Sequence, residues 1–244
     1  MRQTLLKLLW SSLTAFGPRR CARCVRCLRP YGDTLFFVDR GATTQKRVAL
    51  TIDDGLSRGG AATSLTSEVL ALLKSHGAHA TFFVCSDYLS GVEAEADALV
   101  AAGHELGNHL REDRPGYYWA GDAIAGDIAA ATAKIAKHGS VRWFRAPQGL
   151  LSPAMSRACR EQGLRHALGD TYCDDWAVQD PEWIASTMLS QVSDGSVIIV
   201  HMPERGFRPH LLRSLELLLD GLSARGYECA TLSELSAAGW HSAG

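Results

Sequence analysis

The sequence lacks any run of about 20 apolar residues, so no segment is long and apolar enough to cross a bilayer as a single helix. It lacks an excess of either charge as well. Its 25 Lys and Arg stand against 26 Asp and Glu, a net charge of -1 that argues against a nucleic-acid partner. No Gly-x-x-x-x-Gly-Lys element is present to cradle a nucleotide. The seven cysteines are odd in number and irregularly placed, which gives no support to a disulfide-stapled fold. What is present is 244 residues, 46% hydrophobic and 21% charged, the composition and length of one ordinary soluble core.

The neutral average hides two regions. Residues 1–32 carry Arg2, Lys7, Arg19, Arg20, Arg23, Arg26 and Arg29 with no acid, a balance of +7. The rest carries 18 basic and 26 acidic side chains, a balance of -8. An acid-free, Arg-rich, partly apolar opening reads as a signal or organelle-transit segment, or as a flexible basic tail. Secretion or organelle targeting follows from the first reading and a cytoplasmic location from the second. Cys21, Cys24 and Cys27 follow at C-x2-C-x2-C spacing, and no second cysteine pair completes a four-ligand zinc knuckle. An irregular Cys/Arg linker is the expectation there, and Cys85, Cys159, Cys173 and Cys229 are expected as free thiols, buried where they adjoin apolar runs.

From Asp33 onward short apolar runs alternate with helical periodicity. The runs are 35–38, 48–52, 81–85, 105–108, 143–146, 165–169, 197–200 and 228–232. Between them lie helical patterns such as Ile124-Ile128-Ala131-Ile135, and Asp180-Pro181-Glu182 reads as a capped helix start. Gly77, Gly103, Gly163 and Gly226 fall where helices should stop. The alternation predicts parallel strands with crossover helices over residues 33–244, as a small or incomplete (β/α) barrel or, as the rival, an open doubly wound sheet.

In such folds the site lies at the carboxyl ends of the strands. Asp53 and Asp54, His109, Arg145, Asp170 to Asp175 and His201 all fall at strand ends. Each has a structural reading of its own, a turn, a solvated loop or a hydrogen-bonded histidine; their joint placement points to one rim. Metal-assisted hydrolysis needs a cation with an open position, a base and an acid. Asp54 and His109 offer two ligands. Asp113 offers a third if one helical turn places it beside His109, with Glu112 as its competitor. Asp53 then suits the base and His201 the acid.

The ordered motifs Thr51-Ile52-Asp53-Asp54-Gly55, Gly103-His104-Glu105-Leu106-Gly107-Asn108-His109, Phe144-Arg145-Ala146-Pro147-Gln148-Gly149 and Ser196-Val197-Ile198-Ile199-Val200-His201 resemble those of the NodB-like polysaccharide deacetylases, carbohydrate esterase family 4. The similarity runs from about residue 33 to residue 235. It implies a distorted (β/α)7 barrel of NodB-homology type that removes N- or O-acetyl groups from chitin, peptidoglycan or xylan-type sugars. It further implies one divalent metal, zinc first and cobalt or manganese next. By the same resemblance Asp53 is the base, Asp54 and His109 are metal ligands, Arg145 orients Asp53, and His201 is the acid. Pro147 and Gln148 belong to the substrate face, the Gln148 backbone N–H holding the oxyanion, and Ile199 walls the acetyl pocket.

Two departures stand out. The family's second motif ordinarily has histidines four apart, and here the second position is Asp113. The fourth motif, usually Asp-x-x-Asp-Trp, reads Tyr172-Cys173-Asp174-Asp175-Trp176. Asp175 is expected to polarise His201 or brace Arg145, with Asp170 and Asp174 as substitutes, and Trp176 to stack on sugar or to pack. His104 is expected to be structural, and His76, His79, His138, His166 and His210 to be structural or superficial. The expected partner is an acetylated carbohydrate, with no nucleic acid, no membrane span and a monomer by default. Competing functions are hydrolysis of small non-peptide amides on the same fold and carbohydrate binding with little or no catalysis.

Overall fold

The structure is a computed structural model that describes residues 2–41, 44–114 and 121–237. Seven strands, β1 (Lys46–Gly55), β2 (Thr81–Val84), β3 (Glu105–Asn108), β4 (Val141–Phe144), β5 (Arg165–His166), β6 (Val197–His201) and β7 (Tyr227–Ala230), form one sheet. Every pairing is parallel, in the order β5-β4-β3-β2-β1-β6, and β7 also pairs with β1. β7 takes the first half of β1, from Lys46 to Ala49, and β6 takes the second, from Ala49 to Asp53. The sheet curls until its edges nearly meet. Across the gap, Leu35 bridges to Ala167 beside β5 and Phe37 to Ser196 beside β6. This is the distorted (β/α)7 barrel that the motif resemblance implies, and the open-sheet alternative does not describe it.

One expected strand is absent as such. Residues 35–38 make isolated bridges instead of a ladder, because Leu35 pairs in parallel with Ala167 and Phe37 antiparallel with Ser196, so no single neighbour runs along the whole segment. β5 is also shorter than its apolar run: Leu168 and Gly169 leave the ladder, and Asp170 and Thr171 donate their backbone N–H groups to Val197 O. At Gly169 an added Cβ would lie 2.5 Å from Val197 O, so glycine permits this close crossing.

Crossover helices α3 (Thr66–Ser75), α4 (Glu93–Ala101), α5 (Gly121–Ile135), α6 (Pro153–Glu161), α7 (Pro181–Gln191) and α8 (His210–Ala224) cover the outside, and α9 (Leu232–Ala237) follows β7. The four glycines expected to end helices lie just past α3, α4, α6 and α8, each with positive φ. Asp180 caps α7 by accepting from the Trp183 N–H at 3.0 Å. The outward strand faces bury Leu50, Ile52, Phe82 and Ile198 against Leu73, Leu99, Leu215 and Leu219. The interior is filled by Ala49, Phe83, Trp143, Ala167 and Val197, with Leu232 and Leu235 among them. Each fully buried side chain of this size contributes about 1.5–3 kcal/mol. At Gly107 a Cβ would stand 2.8 Å from the Phe83 ring, so the glycine of that motif makes room for a large interior aromatic.

Residues 2–26 form two helices, α1 (Arg2–Phe16) and α2 (Pro18–Arg26). The expected irregular Cys/Arg linker is thus corrected to a helix, which begins with Pro18 in its first turn and buries Ala22. Cys21 is half-buried and Cys24 and Cys27 are exposed, and all seven cysteines are free. Polar contacts tie this segment to the loop after β5: Lys7 to Asp180, Trp10 Nε1 to Asp174 Oδ2 at 3.0 Å, and Arg19 Nε to Asp170 Oδ2 at 3.0 Å. Among the described residues no helix is long and apolar enough to cross a membrane.

Candidate functional site

At the carboxyl ends of the strands lies a cavity of about 550 Å³ lined by Asp53, His109, Asp113, Arg145, Gln148, Trp176, Ile199, His201 and Arg208, among others. The parallel register sets Asp53 directly opposite His201 on neighbouring strands, so a carboxylate and an imidazole meet through sheet geometry alone.

Asp53 is buried and accepts from Arg145 Nη1 at 2.6 Å. Arg145, 1% exposed, is gripped from all sides. Its Nη1 also donates to Thr51 Oγ1 at 2.7 Å, and Nε and Nη2 donate to the carbonyls of Ala167 and Leu168 at 3.0 Å each. Its guanidinium stacks 4.0 Å from the Phe83 ring centroid. Burial lowers the Arg145 pKa, and the Asp53 carboxylate works against that loss. The pair is buried, and Arg145 makes four hydrogen bonds that hold it in place.

Asp54 takes a left-handed backbone, φ 59°, and so do Leu110 at 63° and Gln148 at 57°. Such conformations cost about 1–3 kcal/mol each outside glycine and persist where the surroundings impose them. All three lie beside the cavity or on its wall. Asp54 Oδ2 accepts from Arg208 Nη1 at 2.7 Å and Arg58 Nη2 at 3.2 Å, whereas Oδ1 is buried without a hydrogen-bond partner. Burial raises the Asp54 pKa, but His201, His109 and Arg208 outweigh it and hold the group at about 2.

His109 Nδ1 donates to the Arg145 carbonyl at 2.8 Å, so Nε2 is free to offer its lone pair, and it lies 3.6 Å from Asp54 Oδ1. Asp54, His109 and Asp113 each present a ligand atom within 4.8 Å of the others. An orphaned buried carboxylate oxygen, an imidazole fixed in the ligating tautomer and a second carboxylate fit a divalent cation. The expected helical turn from His109 to Asp113 does not form. Leu110 reverses the chain, Asn108 Oδ1 accepts from its N–H at 2.7 Å, and residues 111–114 are bends pinned by Asp87 N–H donating to the Arg111 carbonyl. Glu112 pairs with Arg114 and lies outside the cluster.

Asp175 is fully buried and accepts from His201 twice, from Nδ1 at 2.7 Å and from the backbone N–H at 2.9 Å. Burial opposes a charge on His201, yet Asp175, Asp54 and Asp53 together raise its pKa to about 9. Asp174 instead holds Trp10 and Tyr172, and Asp170 holds Arg19, Ser196 and the Val197 N–H. Burial raises the Asp170 pKa to about 6, against Arg19. Trp176 is 44% exposed at the rim, Pro147 is buried beneath Gln148, and Ile199 lines the wall. His104 and His166 are buried, and desolvation lowers them to about 4 and about 3, as suits structural imidazoles.

Several residues here escaped the sequence reading. Arg58 and Arg208 pair with Asp54; Asn108 fixes the turn at His109, its amide anchored on the Ile128 carbonyl and Thr132. Glu204 ties down the loop after β1 by accepting from Ser57, the Gly59 N–H and Thr63. His210, expected to be superficial or structural, donates from Nε2 to the Asp175 carbonyl at 3.0 Å.

A parallel α/β barrel whose rim gathers a paired carboxylate, an acidic-histidine ligand cluster and a carboxylate-bound imidazole has the architecture of a hydrolase. The family described as "Polysaccharide deacetylase" matches residues 40–167, more than half of the chain. The protein belongs to the polysaccharide deacetylase family. It is 28% identical over 197 residues to a chitooligosaccharide deacetylase of Azorhizobium caulinodans, covering 75% of this chain and 91% of that one. It is 26% identical over 199 residues to a peptidoglycan-N-acetylglucosamine deacetylase of Bacillus cereus, covering 78% and 88%. Among solved structures, a family 4 acetyl xylan esterase of Clostridium thermocellum, in complex with a cobalt ion, superimposes with a TM-score of 0.68 at 30% identity, covering 79% of this chain and 91% of that one.

Proposed function

We propose that the protein is a divalent-metal-dependent deacetylase acting on N- or O-acetylated sugars of the chitin, peptidoglycan or xylan type. One observation carries the reading. The cavity lined by Asp53 and His201 is also lined by His109 and Asp113, and these two gather with Asp54, whose Oδ1 is buried without a hydrogen-bond partner, in a cluster of ligand atoms within 4.8 Å of one another.

In this reading Asp54, His109 and Asp113 hold the metal, zinc first and cobalt or manganese next. When bound, it supplies Lewis acidity at the acetyl carbonyl and favours the deprotonated form of the attacking water. Asp53, held in one orientation by Arg145, takes the proton of that water. His201, kept cationic near neutral pH by Asp175, delivers a proton to the leaving nitrogen or oxygen of the sugar. The backbone N–H of Gln148 faces the developing oxyanion, in the role where preorganised donors act most strongly. Ile199 and Pro147 shape the acetyl pocket, and Trp176 offers a face on which a sugar ring stacks. Residues 1–32 as a targeting segment or basic tail, and 33–244 as the catalytic domain, complete the proposal.

The decisive test is acetate release by the purified protein, with and without chelator and with added zinc, cobalt or manganese, from chitin oligomers, acetylated xylan and small amides. Chelator-sensitive release from a sugar polymer is expected. Turnover of small amides alone, or sugar binding without any release, would overturn the reading. Removal of one ligand checks the cluster separately. Asp113→Ala should weaken cation binding at least about tenfold by titration against a chromophoric chelator; parental affinity in that variant would remove Asp113 from the set.

A further inference from the structure

Arg58 is the one guanidinium among the described residues whose recorded ion pairs reach two members of the ligand cluster. Its Nη2 donates to Asp54 Oδ2 at 3.2 Å and to Asp113 Oδ2 at 3.1 Å. The residue sits on the loop after β1 that Glu204 anchors, with its guanidinium 4.6 Å from the Phe207 ring centroid and 5.4 Å from that of Tyr88. Its side chain is one-third exposed, whereas Arg208 is buried and pairs with Asp54 alone. The two arginines are therefore not equivalent. Arg208 fixes Asp54, and Arg58 spans the two acids from a position open to solvent.

Asp113 sets a second carboxylate beside Asp54, with ligand atoms within 4.8 Å of one another. Two carboxylates this close repel one another, and the cation that touches both is Arg58. We propose that Arg58 is the built-in counter-ion of the Asp54–Asp113 pair, screening the two acids in the metal-free protein and yielding Asp113 when a divalent cation binds. The backbone N–H of Asp113 donates to Tyr88 Oη at 3.4 Å, so the loop retains an anchor when Arg58 lets go. A cation entering this site meets a resident positive charge. Removing that charge should strengthen cation binding, the opposite of what loss of an ordinary supporting residue does.

The inference rests on the deacetylase reading to the extent that the cluster takes a divalent ion. Its test is titration of the purified chain with cobalt(II) or zinc(II) against a chromophoric chelator, with thermal unfolding measured in chelator and at saturating metal. Arg58→Gln should bind the ion at least about tenfold more tightly than the parent. The same variant should melt below the parent in chelator and lose that deficit when metal is saturating. Arg58→Lys, which keeps the charge and guards against misfolding of the first variant, should stay within about threefold of the parent. In an Asp113→Asn background the gain from Arg58→Gln should be smaller than in the parent, because only Asp54 is then left for Arg58 to screen. Equal or weaker binding by Arg58→Gln, or an undiminished gain in the Asn background, overturns the counter-ion role while the parent's own metal uptake leaves the deacetylase reading standing. A parent that takes up no divalent ion overturns both.

Discussion

Replacing Asp53 with asparagine is expected to cut acetate release at least about a hundredfold while leaving divalent-cation affinity within about tenfold of the parent. The substitution keeps the shape of the side chain and an oxygen for Arg145 Nη1, which now stands 2.6 Å from Asp53 Oδ1. What disappears is the capacity to accept a proton. Arg145 retains its bonds to Thr51 and to the Ala167 and Leu168 carbonyls, so the guanidinium should stay in place, but it loses its charge partner in a fully buried setting. Breaking such a pair costs about 3–5 kcal/mol when the partner is removed outright. A lower melting temperature is therefore part of the expectation, and the kinetics belong at a temperature where the variant is folded. Activity within tenfold of the parent, in a folded variant, would show that another group takes the proton.

The fold and the site were legible to different depths. Strand ends could be read because parallel barrels place polar residues where apolar runs stop, so Asp53, His109, Arg145 and His201 marked the rim from sequence alone. Asp53 and His201 lie far apart in the chain yet in one register; the motifs placed each at the close of a strand, but not the two strands side by side, which is a matter of sheet order that an apolar run does not carry. The segment 35–38 was misread as a strand because an apolar run does not reveal whether a continuous partner edge exists. The turn from His109 to Asp113 was misread as helical because spacing by four fits a helix, whereas Asn108 capping the Leu110 N–H forces a left-handed reversal. Arg208 left no local trace. It reaches Asp54 across 154 positions, a contact set by barrel curvature and visible only once β1 and β6 are side by side. Arg58 did leave one, four residues after Asp54 in a glycine-rich loop, and a basic residue that close to a candidate ligand is a usable signal. The two N-terminal helices were missed because an acid-free, Arg-rich opening has the composition of an address or a tail. Here its cations find acids on the loop after β5.

Asp175→Asn is expected to lower kcat/KM at least about a hundredfold and to move the alkaline limb of its pH profile downward by at least about one unit. In the proposed mechanism His201 must be protonated to serve the leaving group, and its pKa lies at about 9 although burial opposes the charge. The acid is thus available from neutral pH up to about 9, and parental activity should fall above that. The same shift has a consequence for stability. A histidine whose folded value exceeds its unfolded value of about 6.5 contributes stability that is complete below that value and is lost as pH rises through the folded one. Asp175 produces the shift with two oxygens, Oδ1 on His201 Nδ1 and Oδ2 on the His201 N–H. Asparagine has one oxygen and an amide donor, so one of these donors must lose its acceptor. If the amide nitrogen faces Nδ1, the ring is driven to carry its proton on Nε2 as a neutral imidazole, a far weaker acid. The His210 contact uses the Asp175 backbone carbonyl and should survive, so melting temperature can be compared with the pH profile. An Asp175→Asn protein that folds and keeps its alkaline limb near 9 would mean that Asp53 and Asp54 alone hold His201 in its cationic form.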